Sequence, residues 1–90
     1  MSTRRKPQKI VDGDTFKLYQ SLKGKRFVRL AGIDTPEEGQ FGYQKAKNQL
    51  KGMIGGKTVT IKPQDIGRRV IAEVYADGKS VNRRMRERGW

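Results

Sequence analysis

The sequence predicts a mainly β domain, a five-stranded Greek-key barrel carrying two helices, and three observations predict it. Short runs rich in β-branched and aromatic residues recur along the chain, X-Gly dipeptides punctuate them, and one amphipathic segment interrupts them near the middle. At 90 residues the chain is one domain with a modest core, since chains of this size bury only a little over ~60% of their unfolded surface.

The elements follow in order. The start, MSTRRKPQK, is basic and without apolar period, so residues 1–9 are expected to form a flexible arm ahead of a domain spanning 10–90. KIVDGDTFKLYQ places strand-forming residues on both sides of Asp12-Gly13, and Lys23-Gly24 separates it from KRFVRLAGI, whose apolar and charged residues alternate. Three strands result. FGYQKAKNQLKGMI sets Tyr43, Ala46, Leu50 and Met53 or Ile54 on one helical face, with Gly55-Gly56 as its stop. KTVTIKP and RVIAEVYADGKSV read as two more strands, the second turning at Asp77-Gly78, and VNRRMRERGW favours a short basic helix. Three strands, a helix, two strands and a helix suit a barrel of the oligonucleotide/oligosaccharide-binding (OB-fold) type.

Composition narrows the chemistry. With 21 Lys+Arg against 9 Asp+Glu, a net charge of +12 and a pI near 10.5, the chain favours a polyanionic partner, nucleic acid first among them. Charge alone names no activity. No apolar run approaches the ~18 residues of a membrane span, and no apolar stretch follows the basic start as in a signal peptide. A membrane role is not expected; a monomer is, and a cytoplasmic location if the sequence is complete. The absence of Cys excludes disulfides, thiolate nucleophiles and zinc ribbons, and the absence of His removes the imidazole base and His-bound metals. Any phosphodiester chemistry must therefore rest on carboxylate, Lys or Tyr, and any metal must be a hard cation held by oxygens.

Five of the nine acidic residues, Asp12, Asp14, Asp34, Glu37 and Glu38, lie before residue 40, against the basic trend. VDGDT can be a glycine-centred turn, and DTPEE can be a strand exit with a capped helix start. Aspartates from two strands can equally supply part of a calcium shell, with a proline aiming Asp34 and leaving Glu37 to polarise water. Arg29, Arg68 and Arg69 can be solvated strand and turn residues, or guanidinium forks for charge developing on a phosphoryl group. Lys45, Lys47 and Lys51 form an ordinary solvated helix face.

IVDGDTFKL, VRLAGIDTPE, FGYQKAKNQL, GKTVTIK and RVIAEVYADGKSVNRRMRERG, in this order, resemble the staphylococcal nuclease (thermonuclease) family across residues 10 to 89. The resemblance implies an OB-type barrel and a Ca²⁺-dependent, sugar-nonspecific endonuclease, a hydrolase cutting phosphodiester bonds of DNA and RNA to leave 3′-phosphates. It implies Asp14 and Asp34 as calcium ligands with the Thr35 carbonyl, Glu37 as the acid that orients or deprotonates the attacking water, and Arg29 as the first phosphate-binding arginine. For the second arginine, counting back from AEVYADGK selects Arg69 as catalytic, with Arg68 as a neighbouring substrate contact; matching the family's Gly-Arg pair selects Arg68. The family continues beyond ERGW, with tyrosines that help the substrate site and a last helix on the barrel, and its lysine-rich loop after Pro-Glu is shortened here to EGQFG. A nuclease-like module that binds nucleic acid or protein with weak or no turnover is the alternative.

Overall fold

Alternation along the chain becomes a curled sheet in a computed structural model that describes residues 2–90. Its elements are β1 (Thr3–Arg5), β2 (Pro7–Asp12), β3 (Thr15–Leu22), β4 (Lys25–Leu30), α1 (Tyr43–Ile54), β5 (Val59–Ile66), β6 (Val70–Ala76), β7 (Lys79–Ser80) and α2 (Val81–Glu87). The strands lie in the order β1-β5-β6-β4-β3-β2, with β7 beside β6, and every pair is antiparallel except β4 with β6. The two ends of this path, β1 and β2, are one run of chain joined through Lys6, whose carbonyl accepts from the Tyr19 N–H at 3.2 Å. The sheet therefore curls back on itself. Counting that run as one bent strand leaves the five long strands of a small Greek-key barrel, with β7 as a two-residue addition.

Two corrections follow. Residues 3–5 and 7–9, expected as an arm, lie in strands: Thr3 stands opposite Ile61 and Arg5 opposite Val59. Charged side chains are ordinary on an edge strand, because its outer groups face water. Split at Lys6, that run counts as two strands, so four short strands rather than three precede α1, and Lys79–Ser80 adds another after β6.

Period-two burial fills the barrel. In β6 Val70, Ala72, Val74 and Ala76 point inward while Ile71, Glu73 and Tyr75 are only partly covered. Phe16, Leu18, Val28, Leu30, Val59 and Ile61 join them, and Leu50, Met53 and Ile54 of α1 and Val81 and Met85 of α2 close the ends. At ~25 cal/mol per Å² of apolar surface, such side chains supply the main drive to fold. Both X-Gly turns behave as read: Lys23-Gly24 and Asp77-Gly78 have positive φ at both positions and join residues paired across two-residue loops, the geometry that matches strand twist. No helix among the described residues is long and apolar enough to cross a membrane.

The second turn is tied down by Lys57, whose Nζ lies 2.6 Å from Asp77 Oδ2. That hydrogen bond, and then the lysine charge, hold the Asp77 carboxyl below its ordinary 3.8. A carboxylate depressed in the folded state stabilises above its unfolded value and loses that contribution as pH falls through the folded one. Asparagine tolerates the same positive φ, so Asp77→Asn removes the charge without straining the turn. Its melting temperature should be slightly below that of the parent at pH 7, and the difference should vanish as the buffer is taken below pH 3.8.

Candidate active site

The acidic cluster is assembled by three segments meeting at one end of the barrel. Asp14 ends the β2–β3 turn; its carbonyl accepts from the Leu30 N–H at 2.8 Å, tying the start of β3 to the end of β4. Arg29, next to Leu30, pairs across the ladder with Thr15 on one side and Ile71 on the other. The chain then leaves β4 with Ala31 N–H bonded to the Ala72 carbonyl at 2.9 Å, buries Ile33, exposes Asp34 and buries Thr35 against the β2–β3 turn. Gly13 is what lets the segments meet. A Cβ there would lie 2.6 Å from Ala46 Cβ and 2.9 Å from Thr35 Cγ2 and Oγ1, closer than such carbons approach. Sequence reasoning saw in it only a turn glycine.

Asp14 is the hub. Its Oδ1 accepts from the Thr15 hydroxyl at 2.7 Å, and its Oδ2 accepts from the Thr35 N–H at 3.1 Å and from Arg29 Nη2 at 3.4 Å. Burial alone would raise this carboxyl, but the neighbouring Asp12 carboxyl, the Thr15 and Thr35 donors and the Arg29 charge outweigh it and hold it below the ordinary value. Asp12 moves the other way, to about 6, chiefly through burial and then through its contact with Asp14. Two adjacent carboxyls thus differ in character. Asp12 also fixes the turn by accepting the Asp14 N–H at 3.0 Å.

The same Arg29 nitrogen lies 3.6 Å from Asp34 Oδ1, so one guanidinium spans a buried carboxylate and an exposed one. Asp14, Arg29, Asp34 and Thr35 are therefore brought together as the sequence suggested. What meets Asp14 is the Thr35 N–H, and the Thr35 hydroxyl is buried without a hydrogen-bond partner among the described residues. Glu37 stands beside this group on an exposed turn, its N–H donated to Gln40 Oε1 at 2.7 Å, in a cleft shared with Asp34, Phe41 and Trp90. Arg68 and Arg69 are not in contact with the carboxylates. Both are exposed in the turn before β6 and line a second cleft with Val11, Phe27 and Thr15, the residue whose hydroxyl holds Asp14. Lys45, Lys47 and Lys51 lie on α1 and line neither cleft.

Among the described residues no three of His, Cys, Asp and Glu converge into a cage for a metal. The donor set nevertheless suits a hard cation, because two carboxylates lie within 3.4 and 3.6 Å of one guanidinium nitrogen and the buried Thr35 hydroxyl in the same segment has no partner among the described residues. Calcium takes six to eight oxygens and accepts carbonyls and water among them, so two carboxylates suffice as its anionic part.

The family model described as staphylococcal nuclease homologue matches residues 27–90 of the chain. A protein of Escherichia coli called an uncharacterized endonuclease is 38% identical over 80 residues, which are 86% of this chain and 52% of the relative. Another uncharacterized endonuclease, from Haemophilus influenzae, is 36% identical over 83 residues, 90% of this chain and 47% of the relative. A probable staphylococcal-like nuclease of Oryza sativa subsp. japonica is 34% identical over 70 residues, 21% of its own length. The chain spans about half the length of the bacterial relatives it matches.

Proposed function

The chain belongs to the staphylococcal nuclease family, and from that premise we propose that it is a Ca²⁺-dependent, sugar-nonspecific endonuclease that hydrolyses phosphodiester bonds of DNA and RNA and leaves 3′-phosphates. The observation that carries this reading is the single Arg29 nitrogen within 3.4 Å of Asp14 and 3.6 Å of Asp34. Carboxylates suited to a cation and a guanidinium suited to a phosphate thus lie together, which supports the reading.

Each residue has a task set by its surroundings. Asp14 and Asp34 would hold Ca²⁺, with Thr35 as a further oxygen donor, and the bound ion would supply positive charge at the scissile phosphate and polarise a water. Glu37, exposed in the adjoining cleft, takes the proton of the attacking water. Arg29 offers its fork to the equatorial phosphate oxygens, where charge grows as the new bond forms. Arg69, with Arg68 beside it in the cleft on the Thr15 side, would meet the negative charge on the 5′-oxygen as its bond to phosphorus breaks, and that oxygen takes its proton from water. Bases are not read in this scheme; a net charge of +12 gathers the backbone whatever its sequence.

The test is cleavage of single-stranded DNA and RNA with Ca²⁺ or with chelator, followed by analysis of the ends. Cleavage that needs Ca²⁺ and leaves 3′-phosphates is expected. Salt-sensitive binding without cleavage under any divalent cation would overturn the reading in favour of a binding module.

A further inference from the structure

Phe41 is fully exposed, at 103% of its reference area, whereas the other outward apolar side chains range from 37% to 58%. A side chain in that state adds nothing to the core. It does not stand on a loose segment either. The Gln40 N–H is donated to the Glu37 carbonyl at 2.9 Å, the Tyr43 N–H to the Gln40 carbonyl at 3.2 Å, and the Glu37 N–H to Gln40 Oε1. Gly42 follows with φ of +88°, and a Cβ there would come within 3.3 Å of Pro36 and 3.5 Å of the Trp90 ring. The Trp90 indole N–H is in turn anchored on Gln49 Oε1 at 2.6 Å. A bonded turn thus holds Phe41 out, and Trp90, half-buried against the core, lines the same cleft with Asp34, Glu37 and Gln40.

The chemistry of that cleft selects its occupant. With Asp34 assigned to the cation and Glu37 to the water, the rest of the cleft, which includes the Phe41 and Trp90 rings and the Gln40 amide, is an uncharged lining that suits an uncharged group. Two aromatic rings favour a flat π surface, and the Gln40 amide oxygen can accept an N–H group from its edge. A nucleobase has these properties. Stacking on aromatic side chains is worth ~1–3 kcal/mol per base and tolerates any sequence. Phe27, the exposed aromatic of the other cleft, has the Lys17 ammonium 5.8 Å from its ring centre, so one of its faces is already engaged. We propose that the Phe41–Trp90 cleft is a nucleobase subsite for single-stranded DNA or RNA, holding the base next to the phosphate at Arg29. Phe41 and Trp90 stack on the base and act as positioning residues. The subsite rests on the phosphodiesterase reading of the Asp14–Arg29 centre.

Trp90 is the only tryptophan, which gives a direct signal. The full chain is titrated in chelator, so that nothing is cut, with a short single-stranded DNA and with an abasic strand of the same length at fixed salt. The normal strand is expected to quench Trp90 and to bind on the order of tenfold more tightly than the abasic one. Phe41→Ala should bind the normal strand about as weakly as the abasic one, Phe41→Tyr should restore the difference, and melting temperatures should be unchanged. Equal affinity for both strands, or a Phe41→Ala variant that still discriminates between them, overturns the subsite. Absence of cleavage in a parallel assay with Ca²⁺ would overturn the nuclease reading alone, since the binding comparison needs no turnover.

Discussion

Arg29→Ala is expected to lower kcat/KM on single-stranded DNA by about 10²–10³, the usual consequence of removing one preorganised donor from developing charge. The effect should be large because Arg29 is held where it is needed. Its backbone is bonded into β4 between β3 and β6, and its head spans Asp14 and Asp34. Loss of the fork removes the phosphate contact and at the same time frees two carboxylates that repel the incoming strand. Arg29→Lys separates these effects. A lysine restores one positive charge but not two parallel N–H donors, so it should recover folding stability while staying at least about tenfold below the parent in kcat/KM. Steady-state cleavage rates beside melting temperatures decide the matter. An Arg29→Ala protein that melts normally and cuts within a few-fold of the parent would remove Arg29 from the mechanism.

The barrel was legible because its signals are local. Alternating Val70, Ala72, Val74 and Ala76, the Lys23-Gly24 and Asp77-Gly78 turns, and the Ala46–Leu50–Ile54 helix face each carry their structure within a few residues. The first strand was not legible, because Thr3–Arg5 has no apolar period and is strand only through its pairing with Val59–Ile61. In the site, acidic residues against a basic background pointed to the group Asp12, Asp14, Asp34, Glu37 and Glu38, the family resemblance singled out Asp14, Asp34 and Glu37, and the structure adds that one arginine binds the first two of these. What sequence could not supply was contact at a distance in the chain. Gly13 looks like any turn glycine until Ala46 is placed against it, and the Thr35 N–H has no side-chain signature at all. The Arg68 and Arg69 ambiguity persists for the same kind of reason: both side chains enter one cleft, so register does not separate them.

Asn82, which sequence reasoning passed over, should produce the largest loss of stability. It sits in the first turn of α2 with no exposed surface, and it bonds three backbone groups. Its Oδ1 accepts the Val74 N–H at 2.9 Å, and its Nδ2 donates to the carbonyls of Ala31 at 2.9 Å and Ala72 at 3.0 Å. Ala72 keeps a partner without it, since the Ala31 N–H is bonded to the same carbonyl. Asn82→Leu, of similar volume, therefore orphans the buried Val74 N–H and the half-buried Ala31 C=O. At ~1–3 kcal/mol for each unsatisfied group, and less for the half-buried one, the loss should be about 2–4 kcal/mol, a large part of the ~5–15 kcal/mol typical of a domain. For a chain of this length that corresponds to a fall in Tm of roughly 10–30 °C. Asn82→Asp tests the cause: it keeps the acceptor for Val74 but sets a carboxylate against two carbonyls, so it should be severely destabilised at pH 7 and partly recover in acid, where a protonated carboxyl donates again. Urea unfolding of the three proteins at pH 7 and pH 4 is the measurement, and a loss under ~1 kcal/mol for Asn82→Leu would mean that water replaces the amide. The consequence reaches the candidate site through Ala31, the first residue of the segment that carries Asp34, Thr35 and Glu37. A helix residue with no chemistry of its own thereby sets where the carboxylates stand, and variants at Asn82 that remain folded at low temperature should cut more slowly than their folded fraction alone predicts.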